Sequence, residues 1–343
     1  MFNNQMLGVI DETTYKHSLQ DLTAQRSLGA IPFAGRYRLI DFMLSNMVNA
    51  DIRSVAIFPK YRYRSLMDHL GAGKEWDLHR KKDGLFFFPS PHLHHEYDEF
   101  GSFRQFSDHL DYFHRSTQQY AVISNSHTVC NIQFQYVLKR HQEVGCDVTE
   151  VFQDGQSLQI YIMSTTLLKD LIYGHSEKGY KTIQEAVEKE SSALTICPYE
   201  YSGYAAVIDS VEKYYTHSME LIQPRFWQQV FLPQQPIYTK VKDEPPTKYG
   251  KHSTVKNSLV ANGCVLEGEV ENCILFRAVH VGKGTKLKNC IIMQKTQIGE
   301  DCLLEQVISD KDVKIGKATE AAGTADQPLV LRKGLVQGEL MNS

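Results

Sequence analysis

The polar turn after one predicted buried strand is the first place in this sequence where chemistry could occur. The segment YAVISNSHTV, residues 120–129, ends its apolar run in Asn125, Ser126 and His127. In α/β proteins ligands bind at the carboxyl ends of the strands, and an enzyme that handles nucleotides with Mg²⁺ is expected to place a carboxylate there. This turn has no acidic residue. It therefore predicts a ligand-binding location without a metal ligand.

Three arginines that lie close together form a second candidate site. Arg26, Arg36 and Arg38 come just before or at the start of a predicted helix. Guanidinium groups can bind a phosphate through charge-assisted hydrogen bonds. They can equally pair with surface carboxylates such as Asp41 or Asp51, and the residues alone favour neither interpretation.

A histidine-rich segment, PHLHHEYDE, places His92, His94 and His95 beside Glu96. Two histidines at positions i and i+2 of a strand can share a metal ion. No second ligand motif accompanies them elsewhere in the sequence, so a solvated loop is the preferred interpretation.

The elements that would position these residues alternate from residue 1 to about residue 232. The strand-like runs are IRSVAIFP, YAVIS, CDVTEVFQ and SLQIYIMS, and the helix-like patterns are RYRLIDFMLSNMVNAD, YRSLMDHLGAG, SFRQFSDHLDYFHRS and IQFQYVLKRHQEVG. Such alternation predicts an α/β domain with a mostly parallel sheet covered by helices on both faces. Residues 233–250 contain four prolines and no helical period, which predicts a linker between two domains.

The region 251–343 has a different periodicity. Windows starting at Asn262, Val279 and Thr296 align at a spacing of 17 residues, with apolar or small residues about every six positions. This hexapeptide pattern predicts a parallel β-helix, and an antiparallel sandwich would match the spacing only by coincidence. Three equivalent glycines are expected at its corners, in conformations that other residues avoid: Gly282, Gly299 and Gly316.

Composition excludes several classes of protein. The chain has 343 residues, enough for two domains, and 37 basic against 40 acidic residues, so no strongly basic surface indicates a nucleic-acid partner. No signal-peptide pattern and no apolar run of membrane-spanning length occur. The seven cysteines form no CxxC pair and are odd in number. We expect reduced thiols used as small core residues in a cytoplasmic protein.

A longer stretch carries a family resemblance. The segment IPFAGRYRLIDFMLSNMVNADIRSVAIFPKYRYRSLMDHL, residues 31–70, is similar to the glucose-1-phosphate adenylyltransferase (ADP-glucose pyrophosphorylase) family, with YRLIDFxLSN as the most specific motif. The segments GSFRQFSDHLDYF, YAVISNSHTV and SVEKYYTHSMELI extend the match over nearly the whole chain. The resemblance implies a Rossmann-like nucleotidyltransferase domain, a C-terminal left-handed β-helix and assembly as tetramers.

The family's catalytic pattern is degenerate in this chain. Its loop GGxGxRL would cradle a triphosphate, but no glycine occurs between Ile10 and Leu28. Leu28 stands where the family has a lysine, although Arg26 is kept. Ser126 and Val207 stand at the positions of the two aspartates that hold Mg²⁺. A sugar-contacting FVEKP segment is also missing. Phosphoryl-type transfer depends on Mg²⁺, so these losses predict the fold without the chemistry.

The resemblance is strongest to the GlgD type of subunit, which accompanies a catalytic homologue in bacterial glycogen synthesis. It implies a regulatory, catalytically deficient partner in a hetero-oligomer, expected to be a tetramer, with no cofactor of its own and Mg²⁺ in the catalytic partner. In the family, arginines matching Arg26 and Arg38 line an anion or effector site. We therefore expect Arg26, Arg36 and Arg38 to bind a phosphorylated metabolite, and no nucleic acid or membrane partner.

Two alternatives stay open. The chain could be an active nucleotidyltransferase with other metal ligands, such as Asp11, Asp209 or Glu150. It could also be a stand-alone sugar-phosphate-binding or acyltransferase-like β-helix protein that uses His252 or His280, which would require a groove large enough for an acyl carrier.

Overall fold

The computed structural model describes residues 5–13, 16–59, 61–80, 82–90 and 101–337. The histidines His92, His94 and His95 lie outside the described residues, so the structure does not bear on the metal hypothesis for that segment. The predicted fold class is confirmed: an α/β domain is followed by a parallel β-helix. No helix in the described ranges is long and apolar enough to cross a membrane.

The α/β domain contains eleven strands and ten α-helices in its described residues. The strands are β1 Met6–Glu12, β2 Pro32–Phe33, β3 Tyr37–Arg38, β4 Ser54–Pro59, β5 Gly84–Phe87, β6 Tyr120–Asn125, β7 Thr128–Cys130, β8 Val148–Gln153, β9 Gln156–Ser164, β10 Ile196–Glu200 and β11 Ala205–Val207. The helices are α1 Gln20–Thr23, α2 Leu39–Asn49, α3 Arg64–Leu70, α4 Ser102–Asp108, α5 Leu110–Arg115, α6 Phe134–Val144, α7 Thr165–Lys178, α8 Ile183–Lys189, α9 Val211–Glu220 and α10 Pro224–Val230. Short 3₁₀ helices span His17–Leu19, Leu28–Ala30 and Lys74–Trp76.

Seven strands form the central sheet in the order β10-β8-β9-β6-β1-β4-β5. All neighbours are parallel except β9, which runs antiparallel to both β6 and β8. The reversal occurs at Asp154 and Gly155, whose φ angles of 50° and 76° suit a tight hairpin turn. Buried apolar side chains cover both faces of the sheet, as expected for strands packed between helices.

One predicted helix is divided in two. The pattern SFRQFSDHLDYFHRS predicts a continuous helix, but the backbone leaves the helical region at His109, with φ −124° and ψ 31°. The His109 ring stacks on Phe88, with 4.6 Å between the ring centroids. The chain changes direction at this tertiary contact between α4 and α5. The local apolar period does not predict that change.

The β-helix consists of short strands stacked in three parallel sheets. They are β12 Lys248–Tyr249, β13 Thr254–Lys256, β14 Leu259–Val260, β15 Val265–Leu266, β16 Glu269–Glu271, β17 Ile274–Leu275, β18 His280–Val281, β19 Lys286–Lys288, β20 Ile291–Ile292, β21 Gln297–Ile298, β22 Leu303–Glu305, β23 Val307–Ser309, β24 Lys314–Ile315, β25 Glu320–Ala322, β26 Leu329–Leu331 and β27 Val336–Gln337. Ile274 pairs with Ile291, and Ile291 pairs with Ile308, which confirms the 17-residue period.

The glycines of the β-helix do not have the role predicted for them. Gly282, Gly299 and Gly316 are absent from the positions with positive φ, and the corners are instead formed by residues such as Asn289 and Gln306, each with φ 54°. A Cβ atom on Gly282 would lie 2.4 Å from the backbone oxygen of Gly299. Glycine is therefore required there because successive coils approach closely, not because of its conformational freedom.

The two domains share a buried apolar junction. Phe33, Phe42 and Tyr214 of the α/β domain pack in one cluster with Phe276 and Met293 of the β-helix. The predicted linker lies along this junction. Hydrogen bonds between its backbone and side chains of α2 hold it to the first domain. These include the Tyr238 N–H, which donates to the Ser45 hydroxyl at 2.8 Å, and the Asn49 amide, which donates to the Pro236 carbonyl at 3.0 Å.

The expectation of reduced cysteines is wrong for one pair. Cys146 and Cys197 form a disulfide between the start of β8 and the strand β10. They lie 51 residues apart in sequence, so no local motif indicates the pairing. The other cysteines, which are free and buried as predicted, are Cys130, Cys264, Cys273, Cys290 and Cys302.

Candidate functional site

The carboxyl edge of the central sheet brings the ends of β1 and β6 together. Asp11 of β1 is paired in register with Asn125 of β6. The Asn125 side-chain oxygen accepts the backbone N–H groups of His127 at 2.9 Å and Thr128 at 2.8 Å. Asparagine commonly stabilises a turn in this way. Asn125 therefore shapes the turn that follows β6, and Ser126 lies at its tip in a fully buried position.

This edge of the sheet is packed closed by the 3₁₀ helix Leu28–Ala30. The Gly29 N–H donates a 2.6 Å hydrogen bond to the Glu12 carboxyl group at the end of β1. A Cβ atom on Gly29 would lie 2.9 Å from Ser126 Cβ. The backbone donor nearest to Ser126 is thus bonded to a carboxyl group, and Leu28, at the family's lysine position, is itself buried.

Glu12 has an unusual ionisation at this position. Burial raises its pKa to about 8, although the hydrogen bond from Gly29 lowers it, and the neighbouring Asp11 raises it further. The side chain is only 4% exposed. Glu12 is therefore largely protonated at neutral pH, because an ionised carboxylate loses its hydration there without gaining a cation.

The segment that takes the place of a glycine-rich loop is helical and buries two leucines. Residues His17–Leu19 and Gln20–Thr23 form two short helices. Leu19 and Leu22 point into the domain junction and are buried there. The segment therefore contributes to the packing between domains, and it has no glycine that would let the backbone approach a triphosphate closely.

The second acid position lies near the first. Val207 of β11 pairs antiparallel with Thr128 of β7, two residues after Ser126. The structure therefore brings together Ser126 and Val207, the two positions at which the resemblance predicts missing aspartates. A buried hydroxyl and an isopropyl group do not fit the carboxylate set that Mg²⁺ requires.

The acids considered as substitute metal ligands are engaged elsewhere. Asp11 accepts hydrogen bonds from the backbone and hydroxyl of Thr13, at 2.9 and 2.6 Å. Asp209 pairs with Lys213 at 2.9 Å, and Glu150 accepts the Ser157 hydroxyl at 2.5 Å. Within the described ranges, no group of three or more His, Cys, Asp or Glu side chains is arranged to hold a metal ion.

His127 is a buried residue of this edge that the sequence did not single out as a site. It is 1% exposed, and neither ring nitrogen has a hydrogen-bond partner among the described residues. Burial lowers its pKa to about 3, and the positive charge of Lys16 contributes to the shift. The ring is therefore neutral at physiological pH.

Arg26 is the most buried of the three predicted anion-binding arginines. Its Nη2 atom donates to both carboxylate oxygens of Asp310 in the β-helix, at 2.7 and 3.0 Å, and its Nη1 atom donates to the Leu22 carbonyl at 3.2 Å. Arg26 and Asp310 side chains are 2% and 3% exposed. This carboxylate partner is neither Asp41 nor Asp51, the two that the sequence suggested.

Those two carboxylates have other partners. Asp41 accepts the Arg38 backbone N–H at 2.9 Å, which caps the first turn of α2, and Asp51 pairs with Arg53 at 2.8 Å. Arg36 is exposed, with its guanidinium 5.5 Å from the centre of the Tyr37 ring.

Arg38 belongs to a group of cations at the domain junction. Its Nη1 atom donates to the Ser65 carbonyl at 2.5 Å. Burial lowers the Arg38 pKa to about 10, and Arg26 and Arg277 lower it further while Asp41 opposes them. Burial also lowers the Lys311 pKa to about 7, with Arg38 and Arg26 contributing. Arg26, Arg38, Arg277 and Lys311, here called the junction cations, repel one another, so a bound anion would stabilise them.

Two of the junction cations were not predicted. Arg277 and Lys311 lie in the β-helix, more than two hundred positions from Arg38 in the printed sequence. Each is the one basic residue of its 17-residue window. Exposed lysines are common elsewhere in the β-helix, so no local signal distinguishes these two residues. The structure brings Arg26 and Arg38 into the same group and leaves Arg36 at its exposed margin, where it lowers the Arg277 pKa.

Comparisons with known proteins agree with this architecture. The Nucleotidyl transferase family matches residues 17–158, and the GlmU-like, C-terminal hexapeptide family matches residues 245–327. The Glycogen biosynthesis protein GlgD of Geobacillus stearothermophilus is 60% identical over 341 residues, which cover 99% of each chain. A glucose-1-phosphate adenylyltransferase of Acetivibrio thermocellus is 28% identical, over 86% of this chain and 78% of its own. Geobacillus stearothermophilus also has a glucose-1-phosphate adenylyltransferase, 26% identical over 79% of this chain and 80% of its own.

Proposed function

This chain belongs to the family of the glycogen biosynthesis protein GlgD, related to the glucose-1-phosphate adenylyltransferases, and from that membership we propose that it is a regulatory subunit in glycogen synthesis. In this proposal the chain does not itself convert ATP and glucose 1-phosphate to ADP-glucose and diphosphate. It modulates a catalytic homologue that does so with Mg²⁺.

The observation that carries the proposal is the closed carboxyl edge of the sheet. The Gly29 N–H is bonded to Glu12, and the same glycine packs against Ser126, where a metal-binding acid would be needed. Val207 supplies no ligand atom at the second position. A triphosphate and its Mg²⁺ would require space and free carboxylates at this place. Among the described residues, Gly29 packs on Ser126, and the carboxyl groups of Asp11 and Glu12 are bonded to Thr13 and Gly29.

A catalytic homologue is the partner that this proposal requires. Geobacillus stearothermophilus has both a close relative of this chain and a more distant glucose-1-phosphate adenylyltransferase that aligns over most of it. Two chains of one fold within a single organism can form mixed oligomers through equivalent surfaces. We propose a heterotetramer in which both domains of this chain contact the catalytic subunits.

The junction cations are the proposed route of regulation. They lie between the α/β domain and the β-helix, and burial together with the neighbouring cations lowers the pKa of Lys311 and of Arg38. A phosphorylated metabolite bound there would contact both domains at once. Its binding could then favour one relative placement of the domains, and that preference could pass to the catalytic partner as a coupling of about 1–3 kcal/mol.

The decisive experiment compares the catalytic homologue alone, this chain alone and the co-purified complex. We expect no ADP-glucose from this chain alone, and a change in the rate or effector response of the homologue in the complex. Mg²⁺-dependent turnover by the isolated chain at a rate similar to that of the homologue would contradict the proposal. So would a complex whose kinetics equal those of the homologue alone.

Two variants separate the parts of the proposal. The double variant Ser126→Asp, Val207→Asp should remain inactive alone, because the acids return without space for the triphosphate. Lys311→Gln should weaken the response of the complex to sulfate or a phosphorylated effector, and Lys314→Gln on the exposed face of β24 is the matched control. Equal responses of these two variants would remove the junction cations from the mechanism.

A further inference from the structure

The disulfide between Cys146 and Cys197 joins an edge strand to the rest of the sheet. Cys146 lies just before β8, and Cys197 lies in β10, the end strand of the sheet. β10 pairs with β8 alone among the described strands. An edge strand bonded on one side only is held by fewer interactions than an internal strand. The disulfide therefore cross-links an edge strand, which separates from the sheet more easily than an internal strand, to its neighbour.

Backbone contacts hold the same corner in register. The Thr195 carbonyl accepts the Asp147 and Val148 N–H groups at 3.0 and 3.2 Å, and the Asp147 carboxylate accepts the Thr195 N–H at 2.8 Å. These contacts would keep the two cysteines near each other after the disulfide opened. A pair held in this way can re-form without a search through the unfolded chain.

A solvent-open cavity of about 340 Å³ lies beside the disulfide, with Gln142, Gly145, Cys146 and Asp147 in its wall. Gly145 has φ 74° and ends α6. Cys146 therefore lies at the wall of an open cavity, although its own exposed fraction is only 8%. A disulfide that serves only as a permanent cross-link needs no such opening to solvent.

The free thiols of Cys130 and Cys264 differ in chemistry from this pair. Cys130 is fully buried, and burial raises its pKa to about 12. Cys264 is also buried, with a pKa above its ordinary value. Because the thiolate is the reactive form of cysteine, these thiols are poor participants in exchange. The corner of β8 and β10 is therefore a distinct site for thiol chemistry.

We propose that Cys146 and Cys197 form a reversible thiol–disulfide site that exchanges with a low-molecular-weight thiol and its disulfide. In oxidation, one cysteine thiolate attacks the disulfide RSSR, forms a mixed disulfide and releases one thiol. The second cysteine then attacks the protein sulfur of the mixed disulfide and releases the second thiol. The two cysteines lose two electrons and two protons, and RSSR becomes two RSH.

The chain after β10 leads from the sheet edge to the domain junction. After β10, the Tyr201 N–H donates to the Phe152 carbonyl at 2.8 Å, and its hydroxyl donates to the Asn131 carbonyl at 3.2 Å. Tyr204, three residues on, packs in the apolar cluster between the domains. The redox state of one edge strand is thereby connected to the packing of the junction. This inference does not rest on the regulatory function proposed above.

The first test is a redox titration of the purified full-length chain in buffers of stepped reduced-to-oxidised glutathione ratio. The samples are quenched in acid, alkylated with N-ethylmaleimide under denaturing conditions and mapped by peptide mass spectrometry. We expect the Cys146 and Cys197 peptides to pass together from alkylated to linked as the oxidised fraction rises, while Cys130 stays alkylated. Alkylation of both at every ratio would overturn the proposal. A link that survives excess reduced glutathione would overturn its reversibility.

The second test measures hydrogen exchange in the fully reduced and fully oxidised samples. Amides of β10 should exchange roughly tenfold or more faster after reduction, and those of β5, the opposite edge of the sheet, should not change. Cys146→Ser and Cys197→Ser should each show the fast exchange in oxidised buffer. If β10 exchanged at the same rate in both redox states, the proposed effect of the disulfide on this edge would be wrong.

Discussion

Glu12, Gly29 and Ser126 show how single residues pack together at the carboxyl edge of the sheet. Glu12 bonds a backbone N–H that could otherwise bind an oxyanion, and Ser126 is small enough for Gly29 to pack against it. Burial of the Glu12 carboxyl group is unfavourable for its charged form and raises its pKa to about 8. These contacts therefore have a pH dependence that can be measured.

The variant Glu12→Gln tests that signature. The pKa of Glu12 is about 8 in the folded chain, whereas an unfolded glutamate has its ordinary pKa of 4.5. The folded chain therefore holds more protons between these values, and its free energy of unfolding falls as pH rises through this window. Gln keeps an oxygen acceptor for Gly29 but cannot ionise. We expect Glu12→Gln to gain stability relative to the wild type by about 1–3 kcal/mol between pH 5 and pH 8.

Urea unfolding at several pH values measures this difference. The exposed variant Glu143→Gln on α6 is the control, and its stability should follow the pH dependence of the wild type. If Glu12→Gln showed the same pH slope as Glu143→Gln, the Glu12 carboxyl group would have to be ionised in the folded chain at neutral pH.

At the scale of the elements, the β-helix depends on two kinds of special position. Residues such as Asn289 and Gln306 form its corners with positive φ. At Gly282 and Gly299, neighbouring coils approach so closely that no side chain fits between them. The sequence pattern locates both kinds of position within the repeat. It does not distinguish them, because the period reports spacing along the chain and not contact between neighbouring coils.

Paired substitutions separate the two roles. Gly282→Ala should destabilise the β-helix by about 1–3 kcal/mol, because its Cβ would lie 2.4 Å from the Gly299 oxygen and the coils would have to move apart. Gln306→Gly should change the stability by less than about 1 kcal/mol, because glycine adopts the corner conformation readily but increases the entropy of the unfolded chain. Urea unfolding measures both. A smaller loss for Gly282→Ala than for Gln306→Gly would contradict the close-packing role.

At the scale of the molecule, two ion pairs among the described residues cross from the α/β domain to the β-helix. Arg26 and Asp310 are 2% and 3% exposed, whereas Arg332 and Asp21 are 68% and 34% exposed, at N–O distances of 2.7 and 2.6 Å. Although the N–O distances are similar, the two pairs contribute differently to the free energy of unfolding. An exposed pair is weakened by solvent, and a buried pair leaves an uncompensated charge when one partner is lost.

A double-mutant cycle on each pair tests this contrast. Asp310→Ala should destabilise the chain by about 3–5 kcal/mol, because Arg26 stays buried without its carboxylate. Asp21→Ala should cost less than about 1 kcal/mol. The double variant Arg26→Met, Asp310→Leu should recover much of the loss, since neither member of the pair is then left buried without its partner. Urea unfolding gives the coupling energies, and equal small couplings for the two pairs would show that the Arg26–Asp310 pair is hydrated in solution.

Much of the architecture follows from the sequence alone, because it is written in local periodicity. A short stretch of sequence is enough to recognise each of three features. These are the alternation of strands and helices, the 17-residue repeat and the residues at the expected metal positions. The hairpin between β8 and β9 also had a local signal, the Asp154-Gly155 pair. The membership of Arg277 and Lys311 in the junction cations, the Arg26–Asp310 pair and the Cys146–Cys197 disulfide could not be predicted in this way. Their partners lie up to 284 residues apart, and only the packing of the two domains and of the sheet edge brings them together. A local pattern specifies which face of an element is apolar, whereas a contact between distant charges or sulfurs depends on where the packed faces finally place them.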